Sequence, residues 1–160
     1  MAEKNIQRIP SESAFYREVV QLLRQARQRT YTAVQSVMVE TYWQIGRRIV
    51  EQEQAGNHRA DYGAELLKNL SKALTEEFGK GFSAPNLRNF RQFYLAFPDE
   101  EKCYTLCSKL SWSHLRLVMR LDDARERLYY LQESREAGWS VRELERNIRS
   151  RYYRQIAFWK

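Results

Sequence analysis

The sequence predicts an all-α protein: a long N-terminal helix or helix pair, a helix-turn-helix-like hairpin, then C-terminal helices. Three observations predict it. Apolar residues recur at spacings of three and four, and no alternating run of useful length occurs. Six glycines and three prolines are too few for the tight turns of an all-β chain of 160 residues. Hydrophobic residues at 43% and aromatics at 13% supply a real core, which excludes wholesale disorder.

The elements follow in order. Residues 1–10 are polar, end at Pro10, and read as a loose tail, leaving residues 11–160 as a single helical domain. From Ser11 to Ile45 there is neither Gly nor Pro. Phe15, Val19, Leu22, Leu23, Ala26, Val34, Val37, Met38, Thr41, Ile45 and Ile49 keep helical spacing. A continuous helix from Ser11 to Gln54 would be about 66 Å long at about 1.5 Å per residue. So long a stripe either breaks near Thr30–Thr32 or is covered in part by a second copy of the chain. A homodimer is expected on that ground.

Ala55–Ala60 reads as a loop, with Gly56 and Asn57 as stop signals. Asp61 caps a helix to about Phe78, with Tyr62, Leu66, Leu67, Leu70, Leu74 and Phe78 on its apolar face. Gly79-Lys80-Gly81 ends it. Ser83 caps the next helix, and Pro85 sits in its first turn, where a missing N–H costs nothing. Leu87, Phe90, Phe93, Tyr94 and Phe97 share one arc of that helix. Pro98-Asp99 closes it, and Glu100–Lys109 reads as a mixed connector. Leu110 to His114 opens a further helix that bends at Asp122-Asp123 and runs to Ala137. Gly138 ends it. Ser140 with Glu143 is a capping box for the last helix, Val141 to about Ile156.

Several classes of function are excluded. Mean hydropathy is −0.71, and no apolar run approaches the about 18 residues of a membrane span. The start, MAEKNIQRIPSES, lacks the apolar stretch of a secretory signal. Two cysteines give no disulfide framework, so a reducing cytoplasm is the expected location. Cys103 and Cys107 fall short of the four ligands of a structural zinc site, and His58 and His114 are distant in sequence. Ser111-Trp112-Ser113-His114 has no nucleophile elbow, and its serines read as helix caps. Gly79-Lys80-Gly81 is too short for a P-loop. Pro98-Asp99-Glu100-Glu101-Lys102 carries the letters of a PD-(D/E)xK nuclease, but adjacent in a connector and without the strand platform that chemistry needs. No cofactor, metal or catalytic residue is expected.

What remains is charge. Lys plus Arg is 27 against 20 for Asp plus Glu, a net +7 that points to an anionic partner. Two amphipathic helices joined by a glycine-containing turn form a helix-turn-helix pattern, whose second helix would lie in the major groove of DNA. On its free face Arg88 and Arg91 can reach guanine or phosphate, Asn89 and Gln92 can read adenine, and Asn86 can join them from the first turn. Lys68, Lys72 and Lys80 would meet phosphate. The last helix is the second basic candidate, with Arg142, Arg146 and Arg149 beside its apolar side. From Arg142 to Lys160, five arginines and one lysine face only Glu143 and Glu145. Against this stands an ordinary helical hairpin with a solvated polar face, in a protein-interaction or dimerisation module without direct DNA contact. The terminal Phe158 and Trp159 call for a partner protein or a following domain.

Several ordered motifs carry a resemblance: Tyr42 to Ile49 (YWQIGRRI), Arg59 to Gly63 (RADYG), Leu74 to Phe82 (LTEEFGKGF), Asn86 to Tyr94, Leu110 to His114, Arg127 to Tyr130, and Gly138 to Leu144. The chain resembles the YhcG-type N-terminal domain, a domain of unknown function, over about residues 14–157. In that bacterial family the helical domain usually precedes a PD-(D/E)xK nuclease domain. The resemblance implies DNA contact or assembly, carried over to Asn86, Arg88, Asn89, Arg91 and Gln92, with no catalytic residues. It implies a packing role for Tyr42-Trp43 and Gly46-Arg47. The sequence stops at Lys160, where the nuclease domain would begin, so that domain is read as absent and its activity is not carried over.

Overall fold

The computed structural model describes residues 12–56 and 60–159, and every regular element among them is helical. The predicted tail 1–10, the loop residues Asn57, His58 and Arg59, and the side chains of Phe158 and Trp159 lie outside the described residues. The helices are α1 (Glu12–Ala55), α2 (Ala60–Phe78), α3 (Ala84–Ala96), α4 (Glu100–Cys107), α5 (Trp112–Met119), α6 (Ala124–Ala137), α7 (Val141–Arg149) and α8 (Tyr152–Trp159). By their contacts the residues fall into two compact units, Met1–Val34 and Gln35–Lys160.

In the first unit the described residues are the amino-terminal part of α1. No helix break occurs at Thr30–Thr32. The Thr30 hydroxyl donates to the Ala26 carbonyl at 3.0 Å, which satisfies the side chain without interrupting the helix. Phe15, Val19, Leu22, Leu23 and Val34 are all exposed.

The second unit holds the core. α1 contributes Val39, Trp43, Gly46 and Val50, which share one arc at about 100° per residue. The series Val34, Val37, Thr41, Ile45 keeps helical spacing too, yet Val37 is 59% exposed. The core takes the other arc because it carries Gly46. A β-carbon there would overlap the Phe90 carbonyl oxygen and stand 2.7 Å from its carbon, so α1 and α3 meet almost backbone to backbone. Around that contact Tyr42 stacks on Phe90, with ring centres 4.3 Å apart and planes within 10°. Trp43 is 1% exposed, and its indole N–H donates to the Phe97 carbonyl at 2.7 Å. Tyr42, Trp43 and Gly46 therefore do the packing work that the resemblance implies. Two clusters form the core. One gathers Trp43, Phe93, Leu115, Val118, Tyr130, Leu131 and Leu144; the other gathers Ile49, Leu67, Leu87 and Phe90. Tyr42 and Trp112 pack against both.

Three expected boundaries are corrected. The connector Glu100–Lys109 contains α4, because Asp99 accepts the Lys102 N–H at 3.0 Å and Cys103 and Cys107 supply a buried face one turn apart. The acidic pentad is thus a cap and first turn. The bend at Asp122-Asp123 is a full break between α5 and α6, with the Asp123 carboxylate capping the Arg125 and Glu126 N–H groups. The last helix is two. Arg151, at φ +56°, turns the chain between α7 and α8.

That turn is sealed from below. The buried Tyr130 hydroxyl donates to the Asn147 carbonyl at 3.2 Å and accepts the Tyr153 N–H at 3.1 Å. Burial also pushes the Tyr130 phenol above its ordinary pKa, so it stays a neutral donor. Tyr130→Phe strands one carbonyl and one N–H, and is expected to cost about 2 kcal/mol. A lowered midpoint in thermal unfolding followed by circular dichroism checks this; an unchanged midpoint refutes the seal.

Candidate nucleic-acid interface

The hairpin of α2 and α3 is built from its turn outward. Gly79 and Gly81 have φ of +82° and +110°, the left-handed conformations that favour glycine. The Ser71 hydroxyl donates to the Phe82 carbonyl at 2.7 Å, tying the turn to α2. Ser83 accepts the Asn86 N–H at 3.3 Å, and the Asn86 amide donates to the Gly81 carbonyl. Asn86 is therefore spent on holding the turn. Leu87, Phe90 and Phe93 are fully buried, which leaves Arg88 and Gln92 exposed and Asn89 half-buried.

The basic candidates separate into two groups. Lys68, Lys72, Lys80, Arg88, Arg142 and Arg146 are exposed, and none of them enters an ion pair among the described residues. Arg91 differs. Its Nε donates to both oxygens of Glu53 on α1, at 3.0 and 2.8 Å, with the Glu53 side chain only 18% exposed. Arg149 pairs with Glu145 one turn away at 2.9 Å. Sequence spacing gave no sign of the Arg91–Glu53 pair, because the partners are 38 residues apart. The hairpin and the last basic segment are not joined directly, but α3 and α7 both pack on α5. Arg116 of α5 and Arg120, the residue that caps its end, are exposed on that shared support and were not singled out in the sequence.

Elsewhere the chemistry is structural. Ser111 and His114 form the capping box of α5. His114 Nε2 stands 2.7 Å from the Trp139 carbonyl, an acceptor only, so Nε2 carries the proton and Nδ1 accepts from the Ser111 hydroxyl at 2.7 Å. The pair ties the start of α5 to the turn before α7. Cys103 and Cys107 are buried, with sulfurs 3.7 Å apart. The contact with Cys103 first, and burial second, hold the Cys107 thiol above its ordinary pKa, away from the thiolate that metal binding needs. Among the described residues no group of three or more His, Cys, Asp or Glu is placed to hold a metal. None of their helices is long and apolar enough to cross a membrane.

The model of one family, described as the DUF1016 N-terminal domain, matches residues 18–155. The chain belongs to this family. A relative from Escherichia coli (strain K12), named "Putative nuclease YhcG", is 37% identical over an alignment 164 residues long, and the match covers 84% of this chain and 44% of the relative. The domain thus spans less than half the length of that nuclease-named relative. No solved structure matches it.

Proposed function

We propose that this DUF1016 N-terminal domain is a non-catalytic, dimerising DNA-binding domain that brings a nuclease to its target. The observation that carries this reading is the row of exposed, unpaired cations on one hairpin: Lys68, Lys72, Lys80 and Arg88. Their charge is available because no internal carboxylate among the described residues holds it. The nuclease-named relative, longer than this chain by more than half its own length, fits a targeting role for the domain. A phosphate backbone is the polyanion such a spread of single cations suits, and the exposure of Arg88 supports a contact from it to a base edge.

Arg88→Ala is expected to weaken duplex binding by about tenfold, at the lower end for one lost contact, with unfolding unchanged. Arg91→Ala is expected to do the reverse. It leaves Glu53 half-buried and unpaired, costs about 1–3 kcal/mol of stability, and changes DNA affinity little. Mobility shift and thermal melts on both variants decide the matter. Weaker binding by Arg91→Ala at full stability would move the contact away from Arg88. The alternative is a protein-interaction module without DNA contact, favoured by the exposed apolar stripe of α1; it predicts no shift of any labelled DNA at physiological salt.

A further inference from the structure

The acidic residues are unevenly spread along the chain. No carboxylate occurs between Glu77 and Asp99, nor between Glu101 and Asp122, so α3 and α5 carry none. Both helices belong to the second unit and pack on each other. Going round α5 from Trp112 at about 100° per residue, Arg116 comes at about 40°, Arg120 at about 80° and His114 at about 200°. Trp112 is the side that meets α3, with its ring centre 5.3 Å from that of Phe90 and 5.4 Å from that of Phe93. His114 is the side that meets the turn before α7, through the Trp139 carbonyl. Leu115, Val118 and Met119 fill the remaining arc and are buried. The two arginines therefore look outward between α3 and α7. Neither enters an ion pair among the described residues.

α3 continues this surface. From Phe93 toward the exposed side, Asn89 lies at about 40°, Gln92 at about 100° and Arg88 at about 140°. The other flank of each helix enters the same core, so the exposed flanks of α3 and α5 share one side. On α7, Arg142 and Arg146 each lie about 160° from the buried Leu144. Neighbouring helices pack about 8–10 Å apart, so α3 to α7 across α5 spans roughly 16–20 Å, or about five to six base pairs at about 3.4 Å each.

We infer that Arg116 and Arg120 hold the phosphate backbone of the same duplex as Arg88, midway along one interface that runs from α3 over α5 to α7. The inference rests on the DNA-binding reading above and adds two contacts and a direction to it. Unpaired cations on helices free of carboxylates suit a polyanion, because an acidic side chain there would repel it at close range. The carboxylates that follow Arg120 are Asp122 and Asp123, and Asp123 is committed to the cap of α6.

Fluorescence anisotropy of the whole chain with a labelled random-sequence duplex, over a salt series, supplies the test. Arg116→Gln with Arg120→Gln keeps much of each aliphatic stem and removes both charges. This pair is expected to flatten the slope of log affinity against log salt by about 2, and to weaken low-salt binding by at least about tenfold. Arg116→Gln alone should flatten it by about 1. The loss should be the same on duplexes of unrelated sequence, as phosphate contacts require. Arg116→Lys with Arg120→Lys should keep the slope, since a phosphate accepts either cation. Lys102→Gln takes one charge from α4, beside Glu100 and Glu101, and should leave the slope unchanged. Both arginines are exposed, so thermal midpoints should match wild type. A Gln pair with the wild-type slope, while Arg88→Ala binds weakly, overturns this inference and leaves DNA binding standing; the two arginines would then suit an acidic protein surface. An equal loss of slope in Lys102→Gln and Arg116→Gln overturns it too, by reducing the effect to net charge. A wild-type chain that binds no duplex at low salt overturns both readings.

Discussion

Gly46→Ala is expected to destabilise the chain by about 3 kcal/mol, lowering its thermal midpoint by about 6–12 °C. The added methyl meets backbone, the Phe90 carbonyl, and not the yielding end of a side chain. Backbone cannot rotate away. Either α1 or α3 must retreat, and each is pinned close by. The Tyr42–Phe90 stack and the Trp43 to Phe97 hydrogen bond both cross the same α1–α3 contact and would loosen with it. Alanine favours the helix over glycine by about 1 kcal/mol, which offsets part of the loss and keeps α1 itself helical. A melt followed by near- and far-ultraviolet circular dichroism separates the two terms. A midpoint within about 2 °C of wild type would mean that the helices do not approach this closely in solution.

The largest functional effect should come from removing Lys80, Arg88, Arg142 and Arg146 together. Each phosphate contact releases counterions, so losing four should flatten the slope of log affinity against log salt by about 3–4. Affinity at low salt should fall by at least about a hundredfold. Stability should barely change, because none of the four enters an ion pair among the described residues. Splitting the set gives the geometry. If Lys80 with Arg88 accounts for the whole loss, DNA lies on the hairpin alone. If Arg142 with Arg146 contributes its share of the slope, the duplex runs across both helices that pack on α5. A quadruple variant with the wild-type salt slope would remove this face from the interface.

Local signals were legible wherever one residue type has one physical job. Ser83, Pro85, Gly138 and Ser140 start or end their helices as their chemistry dictates. The missed boundaries share a cause. Asp99 and Asp123 cap helices, yet in sequence they sit within acidic runs that read equally well as solvated turns. The break after Arg149 has no glycine or proline to announce it. It exists because Tyr130, on another helix, supplies the hydroxyl that satisfies both of its loose backbone groups.

The candidate interface shows the same division. Arg88 and Arg91 are alike in sequence, three residues apart on one helix. Only the position of Glu53, brought in by α1, separates a free cation from a committed one. The two faces of α1 divide likewise. Helical spacing marks Val34, Val37, Thr41, Ile45 and Ile49 as an apolar stripe, but of these only Ile49 is buried, and the rest of the burial goes to Val39, Trp43, Gly46 and Val50.

By itself the sequence determined the helical class, most of the caps, the surplus of positive charge and the family. Those depend on spacing, composition and short-range hydrogen bonds, which a linear chain carries openly. The tertiary structure alone decided which face of α1 is core, which arginines remain free and where the final helix breaks. Each of those is settled by a partner distant in sequence, because burial and ion pairing are properties of two surfaces in contact.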